Sequence, residues 1–181
     1  MIFSNQTFVG RIVISLVLSL LSTVSFAQVH ETVTIDKQTW MKYNLDKDVL
    51  GSKCYNNDSL NCEKYGRLYF WQAAIDVCPD GFRLPTDEDW TILTDYLGGA
   101  DTAGILLKQS GTSDFNALLG GNYQAEINIF SYRELRGYYW TASSFSYHTA
   151  WIRSFGIGLR NVNRTTIGKS FYFSVRCIKI K

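Results

Sequence analysis

Four cysteines carry the most reactive side chains in this sequence: Cys54, Cys62, Cys78 and Cys177. As thiolates they could act as nucleophiles or metal ligands, whereas paired they would staple a secreted fold. Their spacing lacks the close Cys-x2-Cys pairs of zinc sites, so two disulfides are the expected state. Four cysteines allow three pairings. The one expected here joins Cys54 to Cys62, closing a small polar loop, and Cys78 to Cys177, tying a helix end to the last strand.

Hard oxygen ligands gather twice, at Asn56, Asn57, Asp58 and Asn61 and again at Asp114 and Asn116. Such groups can hold calcium, but Asn and Asp also favour turns for backbone reasons, which explains both sets more simply. Asp87 and Asp89 could work as an acid–base pair. They fall, however, in the first turn of an expected helix behind Thr86, where carboxylates cap exposed N–H groups. His30 lies near the start of the mature chain and His148 is expected within a strand, neither beside a nucleophile pattern. No catalytic residue, metal or cofactor is expected.

Aromatic side chains are the remaining candidates. Tyr132, Tyr138, Tyr139, Phe145 and Tyr147 crowd around expected loops, and flat rings beside Asn and Arg suit stacking on a glycan or a peptide. Trp140 and Trp151 lie among them but read as sheet core. The loops from 110 to 135 could equally meet a protein partner.

The elements that position these residues follow from local pattern. Arg11 precedes an apolar run, Ile12 to Phe26, that ends in a small-residue site at Ala27, so residues 1–27 read as a secretory signal peptide and 28–181 as a single domain. Taking Arg11 from the 18 basic residues leaves 17 against 16 acidic, a net of +1. That balance gives no general attraction for nucleic acid, and no further apolar run is long enough to span a membrane. The expected compartment is outside the cytoplasm: secreted, surface-bound or periplasmic.

Val33 and Ile35 alternate with polar neighbours before a turn at Asp36-Lys37-Gln38, which predicts an N-terminal hairpin. Residues 46–64 read as an irregular polar loop. A short helix from Gln72 to Cys78 ends at Pro79, and a second from Asp87 to Leu97 starts at the Thr86 cap and stops at Gly98-Gly99. Thr102 to Gln109 reads as a third, and Ser110 to Gln124 as a long structured loop. Runs at Tyr138–Ala142, Tyr147–Phe155 and Phe171–Ile178 read as strands, the last with Phe171, Phe173, Val175 and Cys177 on its core face.

Several ordered motifs support a resemblance across nearly all of residues 28–181. These are Val33-Thr-Ile-x3-Thr-Trp-Met-x2-Asn-Leu45, Tyr65-Gly-Arg-Leu-Tyr-x-Trp71, Cys78-Pro-x-Gly-Phe-Arg-Leu-Pro-Thr-x3-Trp90, Phe115-Asn-Ala-Leu-x-Gly-Gly121, Gly137-Tyr-Tyr-Trp-Thr-Ala-Ser143 and Phe173-Ser-Val-Arg-Cys177. Together they resemble the FISUMP domain, the Fibrobacter succinogenes major paralogous domain, which implies a secreted or surface bacterial domain without an established activity. The Arg83-Leu-Pro-Thr-x3-Trp90 stretch and the last strand also resemble the formylglycine-generating enzymes and, more distantly, C-type lectins. That likeness implies an α+β fold with a small twisted antiparallel sheet, two or three short helices and long loops. The function expected is a non-enzymatic binding module for a glycan or a surface protein. A formylglycine-type enzyme or maturation factor and a structural envelope component are the alternatives.

Overall fold

The computed structural model describes residues 30–180, so the expected signal peptide lies outside the described residues. β1 (Thr32–Ile35) and β2 (Gln38–Met41) form the expected hairpin. Its turn uses Asp36 at φ 51°, a conformation that Asp tolerates better than most residues. The segment read as an irregular loop is instead built: β3 (Ser52–Lys53), a 3-10 turn (Tyr55–Asn57) and α1 (Ser59–Tyr65). The Asp58 carboxylate accepts from the Leu60 N–H at 3.1 Å and starts the helix, while the Asn61 side chain donates to the Tyr55 carbonyl. Polar composition concealed α1 because its cap and its disulfide, not an apolar stripe, hold it.

β4 (Leu68–Phe70), α2 (Trp71–Asp76) and β5 (Phe82–Arg83) lead to α3 (Asp87–Tyr96). The start of α3 is a complete capping box: the Thr86 hydroxyl accepts from the Asp89 N–H, and the Asp89 carboxylate accepts from the Thr86 N–H. α4 (Ala100–Leu107) follows as the expected third short helix. The stretch read as loop then yields two strands, β6 (Asn122–Gln124) and β7 (Ile129–Ser131). β8 (Arg136–Ser144), β9 (Thr149–Gly156) and β10 (Asn163–Gly168) form a meander, and the last expected strand divides into β11 (Phe171–Ser174) and β12 (Ile178–Lys179).

The fold is therefore α+β, as expected, and the described residues form four short helices, where two or three were expected, beside open sheets. One sheet has the order β1-β2-β12-β5; the other runs β10-β9-β8-β11-β4-β3, with β6 against β11 and β7 against β6. Only the β11–β8 pair is parallel in these ladders. The chain end stitches the two sheets together, because the Met41 and Leu45 N–H groups donate to the Cys177 and Val175 carbonyls, each at 2.9 Å.

Two apolar clusters fill the interior. Trp40, Trp90, Phe115, Tyr139 and Phe155 centre the first, under α3 and α4. Tyr69, Trp140, Phe173, Val175 and Cys177 centre the second, between α2 and the larger sheet. Both expected disulfides are present, Cys54–Cys62 and Cys78–Cys177. Among the described residues no helix is long and apolar enough to cross a membrane.

Candidate functional site

The β8–β9 turn, residues 145–148, presents the most exposed rings of the expected set: Phe145 is 62% and Tyr147 88% exposed. Their backbone is nonetheless fixed. The Ser146 hydroxyl accepts from the His148 and Thr149 N–H groups, and the Phe145 N–H donates to the Thr149 carbonyl at 3.0 Å. Lys169 reaches across from the end of β10 and donates to Ser144 Oγ and to the Ser146 and Tyr147 carbonyls. Two large apolar rings on a hydrogen-bonded turn lose little conformational entropy when a ligand lands on them. His148 belongs to this turn, not to a strand as expected.

Trp151 does not join the sheet core as expected. It is half-buried, with Phe145 edge-on at 5.3 Å and the Arg164 guanidinium 3.6 Å above its ring. The cause is its face: Trp151 pairs with Thr166 on the exposed edge strand β10, while its neighbours Ala150 and Ile152 point into the second cluster. Trp71 stands nearby with Lys169 Nζ 4.1 Å above it and its indole N–H donating to the Thr141 carbonyl.

The three remaining tyrosines separate. Tyr132 is 52% exposed and lies 6.4 Å from Tyr138, which is half-buried and stacks on Phe173 at 5.1 Å. Tyr139 cannot meet a ligand: it is fully buried in the first cluster. Its hydroxyl accepts from the Leu118 N–H and donates to the Leu118 carbonyl. β8 is covered on both faces, so alternation sends Tyr139 into one core cluster and Trp140 into the other. Trp140 is core, as expected.

The groups considered for metal or acid–base chemistry each have a structural role. Asn56, Asn57, Asp114 and Asn116 all take positive φ, the conformation that gives Asn and Asp their place in turns. Among the described residues no three His, Cys, Asp or Glu gather as a metal centre. All four cysteines are paired, which leaves no thiol. Asp87 does not serve as the expected cap: its carboxylate accepts from Arg153 and Arg164, and although burial alone would raise its pKa, these hydrogen bonds hold it below the usual carboxylate range.

Sequence reasoning missed two features. Arg176, which alternation places on the face opposite Phe173, Val175 and Cys177, is fully buried all the same. Its guanidinium donates to the Met41, Lys42, Phe115 and Asn116 carbonyls and to Asn44 Oδ1, and burial pushes its pKa down to about 10. The second is a row of rings across the larger sheet. Tyr55 touches Phe130 at 5.2 Å, Phe130 touches Tyr123 at 4.6 Å, Tyr123 touches Tyr172 at 5.1 Å, and Tyr172 touches Phe70 at 5.9 Å. Register explains the row: Phe70, Tyr172, Tyr123 and Phe130 are cross-strand partners in turn, so they share the face opposite Tyr69 and Phe173.

A cleft of about 480 Å³ opens elsewhere, lined by Tyr65, Leu118, Leu119 and Ile157 with Lys64 and Glu134 at its side. Its polar groups satisfy one another, since the Tyr65 hydroxyl and Lys64 both donate to Glu134 Oε1, at 2.6 and 3.2 Å.

The model of the Fibrobacter succinogenes major domain matches residues 33–179. The chain belongs to that family. No curated protein and no solved structure matches it. The turn from Phe145 to His148, the ring row and Arg176 all lie within the matched span, so each is part of this Fibrobacter succinogenes major domain itself.

Proposed function

We propose that this domain is an exported, non-enzymatic binding module that takes a glycan on the ledge formed by Phe145, Tyr147 and Trp151. The observation that carries the reading is a hydrogen-bonded turn that holds two large rings mostly in solvent, Phe145 touching Trp151 only edge-on and Tyr147 resting on the neighbouring His148. Sugar rings offer flat C–H faces that stack on such side chains, and their hydroxyls suit the neighbouring Ser144, Ser146 and Arg164. Two disulfides favour an oxidising compartment. The pairing of all four cysteines argues against a formylglycine-type oxidation, which needs reduced thiols. The lectin-like fold belongs to the same proposal, supported by short helices beside antiparallel strands and by the irregular connection from 108 to 121.

A glycan array probed with the natural domain and with Phe145→Ala and Tyr147→Ala tests it. Binding that falls at least tenfold in both variants supports the reading. Silence across the array, or signals indifferent to both substitutions, overturns it.

A further inference from the structure

The ring row on the larger sheet is a second surface, sharing no residue with the β8–β9 turn. Tyr55, Phe130, Tyr172 and Phe70 are each half-buried and keep an edge in solvent, while Tyr123 is buried beneath its neighbours. The row has built support: Gly51 takes φ +86°, and a Cβ there would collide with the Phe70 ring. Successive rings tilt by 53°, 37°, 78° and 45°. They make a stepped ledge, which fits one twisted polymer chain better than a flat crystalline face.

Two cations lie over this ledge. Lys53 Nζ stands 5.1 Å from the Tyr123 centroid and the Arg133 guanidinium 5.1 Å from that of Tyr55. Among the described residues neither forms an ion pair, although Arg133 donates to Asn61 Oδ1 at 2.7 Å. A run of contiguous rings flanked by two cations that, among the described residues, have no carboxylate partner complements a polymer that repeats an apolar face and an anion.

We infer that the ledge from Tyr55 to Phe70, with Lys53 and Arg133, binds an acidic polysaccharide whose repeating sugars carry carboxylates. The rings stack on the sugar faces and the two cations meet the uronate groups, so binding weakens as salt screens the charges. Neither contact depends on the β8–β9 turn.

Affinity electrophoresis in gels containing polygalacturonate, its fully methyl-esterified form, or polyglutamate tests this directly. Polygalacturonate is expected to retard the domain, with at least tenfold weaker retardation by the ester and none by polyglutamate. Lys53→Gln and Phe130→Ala are each expected to lower polygalacturonate affinity several-fold, while Tyr147→Ala leaves it unchanged. Lys53→Gln carries the charge test alone because Arg133→Gln also removes the bond to Asn61. Equal retardation by acid and ester, equal retardation by polyglutamate, indifference to Lys53→Gln, or no retardation would each overturn the inference. Loss in Tyr147→Ala as well would assign the polymer to the turn and also overturn it.

Discussion

Arg164 lies over Trp151, its guanidinium carbon 3.6 Å from the ring centroid, and from that position it donates to the Asp87 carboxylate at the start of α3. Asp87 also receives Arg153, whose side chain is only 2% exposed. One carboxylate in the first turn of α3 thus joins a buried cation and an edge-strand cation.

Asp87→Asn strands the buried Arg153 without a counter-charge and is expected to cost about 3 kcal/mol, within the range for breaking a buried pair. Urea unfolding at neutral pH checks it. Arg164→Ala removes only the half-exposed partner and is expected to cost less than about 1 kcal/mol.

Acidification reads the same carboxylate. Its folded-state pKa lies below the unfolded value, so on lowering the pH the unfolded chain takes up the proton first. The stabilisation is complete above the unfolded carboxylate value of about 3.9 and is lost as pH falls through the folded value. Unfolding midpoints followed from pH 7 to strongly acid pH are expected to fall less steeply in Asp87→Asn than in the natural chain.

Arg176→Met leaves the buried carbonyls of Met41, Lys42, Phe115 and Asn116 without their donor. A loss of about 3–5 kcal/mol is expected, large enough to deplete the soluble folded protein. Thermal melts and expression yield check it, and the same change at the exposed Arg160 is expected to alter stability by less than about 0.5 kcal/mol.

The two disulfides are expected to rank by loop size. Replacing both Cys78 and Cys177 by Ser opens a loop with a sequence separation of 99 and should cost about 4.7 kcal/mol on the chain-entropy model. Replacing Cys54 and Cys62, separated by 8, should cost about 2.5 kcal/mol on the same model. Paired denaturant titrations give the order, and thiol titration of the unreduced, unfolded chain is expected to find no free cysteine.

What could be read in advance was mostly local. Thr86 and Asp89 sit three residues apart, so their capping box was visible in the sequence, as were the hairpin at Asp36 and the core side of Cys177. Exposure depends on what covers a strand, and that is set far away. Tyr139 looked like its neighbours Tyr138 and Tyr147, yet helices α3 and α4 bury it. Trp151 looked like core, yet on its outer side it meets just the edge strand β10 and the exposed Phe145 ring. The ring row was illegible because β11 brings Phe70 and Tyr123 together through Tyr172, and nothing local in any of those segments marks the others as neighbours. Alternation put Arg176 opposite Val175 and Cys177 but could not reveal its burial, because both faces of that segment are covered by residues distant in the chain.

The placement of β11 and β12 has a consequence for the order of assembly. Each is an interior strand of its sheet, although they lie near the C-terminal end of the described chain. The larger sheet lacks its joining strand until Ser174 is available, Cys78 lacks its partner until Cys177 is, and the smaller sheet lacks β12 until Ile178 is. A fragment halted before Phe171 is left with β4 and β6 lacking the strand that joins them, so this domain folds only once its whole length is available.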